Sequence, residues 1–316
     1  MVKLYTDRRM LDHVTPHRHP ERPERLLAIQ RQLDRSGLRK TCENGKVREA
    51  TNEELTRVHS AEYLAQLLEF ERTGGGLAEA DTWVGPGSLQ AARVAAGAAI
   101  EAVSHVLGGT HRRAMCLVRP PGHHALADEP MGFCIFNNIA VAAAESVARY
   151  ELDRVLIVDF DVHHGNGTQD IFYTDPCVAF LSIHRFPFYP GTGLARETGS
   201  GKGQGLTLNI PLPFGISRTE YRAAFRSGLE VMADRTRPQL VLISAGFDAH
   251  AEDPVGSLGL DTEDFEDLTR RIVDVAETHA DGRIVSVLEG GYNLSRLAGC
   301  VEAHLLALGA EPIIRT

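Results

Sequence analysis

Val155-Leu156-Ile157-Val158-Asp159-Phe160-Asp161-Val162-His163-His164-Gly165-Asn166-Gly167 decides how this chain of 316 residues is read. Four consecutive apolar residues, Val155–Val158, show no alternation, so the strand they form is buried on both faces, as in a parallel sheet covered by helices. The run then turns polar. Side chains alternate along an extended segment, which puts Asp159, Asp161 and His163 on one face at the carboxyl end of the strand, where open α/β sheets bind ligands. Two carboxylates and an imidazole with no Lys or Arg beside them are costly to bury. A divalent cation among them is the simplest resolution.

Outward from this stretch, strand and helix patterns alternate. Strands are expected at Ala114–Val118, Arg154–Asp159, Val178–Ile183, Leu206–Ile210, Leu240–Ser244 and Ile284–Leu288. Helices are expected at Asn138–Tyr150, after Ser217 with Glu220 completing a capping box, and after Asp261 as far as Gly282. Nearer the amino terminus, Val2–Tyr5 reads as a strand and Pro23 opens a helix that ends at Gly37. Val47–Ala50 reads as a second short strand, Thr51 and Glu54 form a capping box, and Gly85-Pro86-Gly87-Ser88 starts an Ala-rich helix reaching about Leu107. Such alternation predicts an α/β fold, three layers with a mainly parallel sheet. No repeat or Gly/Pro/Ser-rich linker divides the chain, so one domain over residues 1–316 is expected.

Composition narrows the function. With 33 Lys+Arg against 42 Asp+Glu the formal charge is −9, and no basic run stands out, which disfavours direct binding of nucleic acid. The five cysteines (Cys42, Cys116, Cys134, Cys177, Cys300) are scattered, as free thiols in a reducing compartment are. There is no signal-peptide core at the amino terminus and no apolar run approaching ~18 residues, so a soluble cytoplasmic protein without membrane contact is expected.

Several strands end in polar clusters. Ala114–Val118 leads into Arg119-Pro120-Pro121-Gly122-His123-His124, Leu240–Ser244 into Ala245-Gly246-Phe247-Asp248, and Ile284–Leu288 into Glu289-Gly290-Gly291-Tyr292. In a parallel sheet all these ends lie along one edge with Asp161 and His163. Asp161, His163 and Asp248 then offer three N/O ligands, leaving a metal with open positions, which is the arrangement of a catalytic zinc. His123 and His124 supply acid/base groups, with Asp159 and Asn166 available to fix their tautomers. Tyr292, on a loop freed by two glycines, can donate to an oxygen as negative charge develops there. These parts together describe amide hydrolysis.

On these motifs, and on His19-Pro20-Glu21-Arg22-Pro23-Glu24-Arg25 and Phe133-Cys134-Ile135-Phe136-Asn137-Asn138, the sequence resembles the zinc-dependent histone deacetylase superfamily over nearly its whole length. The likeness is greatest to its class II branch, where Asn166 stands in place of an acidic residue, and it takes in acetylpolyamine amidohydrolases and acetoin-utilisation proteins. It implies an arginase/deacetylase-like fold with about eight strands and removal of acetyl from N-acetyl-lysine or a similar alkylamine. It also implies one Zn2+ on Asp161, His163 and Asp248, His124 near Asn166 as general base, His123 on Asp159 as its electrostatic partner, and Tyr292 polarising the carbonyl. Phe133 and Tyr189 match the aromatic walls that grip the alkyl chain, backbone Gly132 meets the substrate amide, and Arg25 matches an arginine beside an acetate-release channel. A structural K+ is implied at Asp159, Asp161, His163 and Ser182.

Some positions bear on the substrate. Polyamine-selective members carry an acidic gatekeeper where this chain has Val255, which weakens the alternative of an acetylpolyamine or other small-molecule amidohydrolase. Glu79 and Asp81 are both candidates for the rim acid that, by the resemblance, orients a peptide backbone. A binuclear manganese ureohydrolase needs further carboxylates where His250 stands, and a non-catalytic binder of acylated ligands needs a defect absent from these motifs. The loop Asp12–Arg22, with His13, His17 and His19, either closes the site mouth or packs on a second copy of the chain.

Overall fold

The computed structural model describes residues 2–311. In chain order its strands are β1 (Val2–Tyr5), β2 (Glu43–Asn44), β3 (Gly76–Glu79), β4 (Thr82–Val84), β5 (Arg113–Cys116), β6 (Val155–Asp159), β7 (Val178–Arg185), β8 (Thr207–Leu212), β9 (Leu240–Ala245) and β10 (Ile284–Leu288). Eight of them form one sheet in the order β2-β1-β5-β10-β9-β6-β7-β8, every pair parallel, while β3 and β4 make a separate antiparallel hairpin. The helices are α1 (Glu24–Ser36), α2 (Asn52–Leu55), α3 (Ala61–Arg72), α4 (Ser88–Gly108), α5 (Asn138–Tyr150), α6 (Asn166–Phe172), α7 (Arg218–Thr236), α8 (Thr262–His279) and α9 (Leu294–Ala307). Helices α4 and α5 pack together against the sheet, and α7, α8, α9 and α1 follow one another as a second row.

This topology follows from the apolar runs. All five residues of β6, of β10 and all six of β9 are buried, as strands covered on both faces must be. Each fully buried Val, Leu or Ile contributes roughly 1.5–3 kcal/mol relative to exposure. Helix α4 presents Ala91, Ala92, Ala95, Ala96, Ala98 and Ala99 to the core, small side chains that let it lie close. Capping boxes at Thr51/Glu54 and Ser217/Glu220 start α2 and α7 as expected, and α1 ends at Gly37 with φ +80°.

One expected strand is absent. Val47–Ala50 does not join the sheet; Glu43–Asn44 pairs with β1 instead. The backbone N–H of Ala50 donates to Arg93 O on α4, and Arg48 is held by Glu54 and Glu101, so this segment is fixed to helices. No helix among the described residues is long and apolar enough to cross a membrane.

The site is positioned by one feature of strand order. The four strands whose ends carry polar clusters, β5, β10, β9 and β6, are consecutive in the sheet. Parallel pairing places their carboxyl ends side by side.

Candidate active site

Asp161 and His163 follow β6 and Asp248 follows β9, and the three offer ligand atoms that all lie within 4.8 Å of one another. Backbone N–H groups aim the carboxylates. Asp161 accepts from His163 N (2.9 Å) at Oδ1 and from Gly290 N (2.9 Å) at Oδ2, and Asp248 Oδ1 accepts from Val162 N (2.9 Å). A Cβ at position 290 would run into the carboxylates of both Asp161 and Asp248, which is why only glycine fits there. His163 Nδ1 lies 3.0 Å from Asp161 Oδ1 and 3.2 Å from Asp248 Oδ2, yet Asp248 Oδ2 is buried without a well-formed hydrogen bond.

The electrostatics ask for a cation. Burial disfavours charge on His163, but Asp161 and Asp248 outweigh it and raise its pKa to about 10. Burial and the neighbouring Asp161 push Asp248 up to about 7. Two buried acids and one imidazole, with a carboxylate oxygen unpartnered, fit a divalent ion of the kind that N/O donors hold.

The paired histidines stand beside this cluster, with ring centroids 4.0 Å apart. His123 Nδ1 is 2.9 Å from Asp159 Oδ2, and His124 Nδ1 is 2.7 Å from Asn166 Oδ1. Burial lowers the pKa of both, but Asp159 and Asp161 carry His123 up to about 10, whereas His123 and His163 push His124 further down, well below the usual imidazole range. The surroundings thus push the two rings in opposite directions, His123 toward the protonated form and His124 toward the neutral one. Glu289, at the end of β10, accepts from Gly122 N (2.6 Å) and His123 N (3.1 Å), holding the histidine loop to the neighbouring strand.

A cavity of about 230 Å3 rises from this floor, and His124, His163, Phe133, Tyr189, Val255 and Tyr292 line it. Phe188 stacks on His163, with centroids 5.2 Å apart, and Tyr189 meets His124 edge-on at 5.3 Å. Tyr292 faces Phe133 edge-on at 5.8 Å and lies beneath the Arg25 guanidinium, 4.9 Å from its ring centre. Gly132 and Asp81 complete the mouth, so of Glu79 and Asp81 it is Asp81 that lines the cavity. A larger cleft of about 410 Å3 between α3 and residues 128–130 contains no histidine or cysteine.

Most residues singled out in the sequence thus converge, with two set apart. Arg25 is buried behind Tyr292, where Nε donates to Gly291 O (2.7 Å) and Nη2 to Glu289 O, and Ser182 lies beneath the floor on β7, in register with Asp159. His13 is buried against Ser88 and Glu21, His19 flanks Phe133, and His250 accepts from Glu252 N. Sequence reasoning missed Glu289 as an anchor, the buried set of Glu21 with Arg25 and Arg119, and Asp253, whose partners are distant in the chain.

Comparison with known proteins agrees with this geometry. Residues 19–308 match the histone deacetylase domain family. Among curated relatives, the histone deacetylase-like amidohydrolase of Pseudomonas aeruginosa is 42% identical over 285 residues, covering 89% of this chain and 74% of that protein. The polyamine deacetylase HDAC10 of Homo sapiens is 40% identical over 304 residues, 92% of this chain and 45% of that protein. Among solved structures, the HDA15 HD domain superposes with a TM-score of 0.92 at 37% identity, covering 98% of this chain and 91% of the other. The chain belongs to the histone deacetylase family.

Proposed function

Taking that membership as the premise, we propose that this chain is a zinc-dependent amidohydrolase that removes acetyl groups from N-acetylated lysine side chains. The observation that carries the reading is the shared cavity. Asp161, His163 and Asp248 lie at its floor, with His124 and Tyr292 facing the same narrow space.

Asp161, His163 and Asp248 would hold the zinc, which when bound supplies a Lewis acid for the amide carbonyl and brings the pKa of water at the site to roughly 7. Because Asn166 accepts at His124 Nδ1, that nitrogen carries the proton and Nε2 is a free acceptor. His124 Nε2 takes the proton from the attacking water and returns it to the leaving amine. His123, paired with Asp159, stays protonated and offsets negative charge nearby. Burial raises the Tyr292 phenol above its usual range, so it keeps its proton and donates to the developing oxyanion. Phe133 and Tyr189 grip the alkyl chain and the Gly132 backbone meets the amide, while Arg25 packs behind Tyr292. The register pairing of Asp159 with Ser182 supports a structural K+ beneath the zinc, shared by Asp159, Asp161, His163 and Ser182. The charge of −9 and the lack of a basic run favour an enzyme that acts on acetylated peptides without touching nucleic acid.

A second reading takes acetylated polyamines as substrate, supported by the likeness to a polyamine deacetylase. Zinc-loaded enzyme should be assayed on an acetyl-lysine peptide and on N-acetylputrescine. Greater kcat/KM for the peptide is the expected result, the reverse order favours the second reading, and inertness toward both and toward longer acyl amides sinks the hydrolase assignment.

A further inference from the structure

The geometry points to Asp253 as a positioning residue for Tyr292, an inference that rests on the catalytic reading of that tyrosine. Its carboxylate is nine-tenths buried and accepts four backbone N–H groups from two separate loops. Oδ2 accepts from Tyr292 N (2.7 Å) and Asn293 N (3.2 Å), while Oδ1 accepts from Val255 N (2.9 Å) and Gly256 N (3.0 Å). One side chain therefore ties the loop that carries the phenol to the loop that carries a wall of the cavity.

The Tyr292 loop needs such a tie. Gly291 has φ +119°, a conformation with little intrinsic preference for one path, and Tyr292 has no neighbour in a strand. The ring itself is only packed, between the guanidinium of Arg25 and the edge of Phe133. Depth and aim of the phenol are set through its backbone. Asn293 is also the amino-terminal cap of α9, its Oδ1 accepting from Arg296 N, so Asp253 anchors the phenol to a rigid helix start on one side and to Val255 on the other. No atom of Asp253 faces the cavity. It acts through Tyr292, and a displacement of ~1 Å at a reacting group costs up to ~100-fold in rate.

Asp253→Asn keeps the size of the side chain but turns an NH2 toward one pair of backbone donors, so one of the two loops is released. The test is a double-mutant cycle of Asp253→Asn with Tyr292→Phe in the zinc-loaded enzyme, read as kcat, KM and metal content. D253N is expected to lower kcat by about 10- to 100-fold with KM and metal content near wild type, and to change kcat less than about 3-fold when Tyr292 is already Phe. If the same fold-loss appears in both backgrounds, or if the loss is explained by missing metal, Asp253 has no specific link to the phenol and the inference falls. Should D253N fail to fold, Asp253→Glu, which keeps the charge and shifts it by one methylene, is carried through the same cycle with the same expectations. If Y292F alone leaves kcat unchanged, the catalytic reading of Tyr292 fails and this inference with it; a crippling Y292F beside an additive D253N overturns Asp253 alone.

Discussion

The floor of the cavity and its mouth are built by different means. Asp159, Asp161, His163 and Asp248 are buried at or just beyond the ends of adjoining parallel strands, and backbone N–H groups aim Asp161 and Asp248. The mouth is made by loops. Phe133 sits at φ +69°, a region that non-glycine residues seldom enter, and is kept there partly by the hydrogen bond from its N–H to Thr82 Oγ1 (3.0 Å). Tyr189 is 36% exposed. A sheet edge places chemistry to a fraction of an ångström, whereas loops place walls that can change without disturbing it.

If this division is right, substitutions at the floor should abolish turnover and those at the mouth should only redistribute it. Asp248→Ala leaves His163 and Asp161 one ligand short, so loss of bound zinc and a fall in kcat of roughly 10^3-fold or more are expected, checked by metal analysis and initial rates. Chelation should silence the wild type and zinc should restore it. A mutant that keeps both metal and rate would dissolve the floor as a functional unit. Next in size, His124→Ala should cost about 10^2- to 10^4-fold in kcat at unchanged metal content, the usual span for a general base. His123→Ala should cost less, because its pairing with Asp159 favours the protonated ring, which offsets charge and does not take up the proton of the water. The opposite ranking would exchange the two roles.

Much of the floor was legible because its signals are local. The unbroken run Val155–Val158 announces a strand buried on both faces, and the polar residues that follow have no packing purpose. The capping boxes at Thr51/Glu54 and Ser217/Glu220 are equally local. Less could be read where a residue takes its meaning from partners far along the chain. Asp253 reaches Tyr292 across 39 positions and Glu289 reaches His123 across 166, and neither distance leaves a trace in composition or period. Helix α6 escaped for a related reason. It begins at Asn166, inside a motif whose residues answer to the site, so helical periodicity is masked. Val47–Ala50 failed the other way: apart from Val47 it has little strand character, and the Ala50 N–H is bonded to Arg93 O on α4.

The mouth should respond on a smaller scale. Tyr189→Phe keeps the aromatic wall against His124 and should alter kcat/KM for an acetyl-lysine peptide less than about 5-fold. Val255→Glu adds a carboxylate to the cavity wall, partly open to solvent, where attraction for an ammonium group is worth about 0.5–1 kcal/mol. That is a shift of roughly 2- to 5-fold in favour of N-acetylputrescine over the peptide, measured by competition between the two substrates. A change in kcat on both substrates alike would mean that the wall and the floor are not separable.

The smallest effect at neutral pH, and the one that shows what the floor rests on, comes from His304. This histidine is fully buried, hydrogen-bonded to Thr269 Oγ1 (2.6 Å) and Ser286 Oγ (2.8 Å), and it packs against Phe160 and Phe247, the residues that immediately precede Asp161 and Asp248. Burial holds its pKa down to about 3, against an unfolded value near 6.5. Because the folded value is depressed, the neutral ring contributes stability that is fully present above about pH 6.5 and is lost as pH falls toward 3, at up to roughly 1.4 kcal/mol per pH unit. His59, held at about 4 by burial, acts in the same sense. Thermal unfolding measured from pH 7.5 to 4 should therefore show the Tm of the wild type falling relative to that of His304→Gln below pH 6.5, the variant having the lower Tm at pH 7.5 but a kcat there within a few-fold. Equal slopes for the two proteins would mean that His304 takes up no proton on unfolding, and that the packing beneath the floor is indifferent to acid.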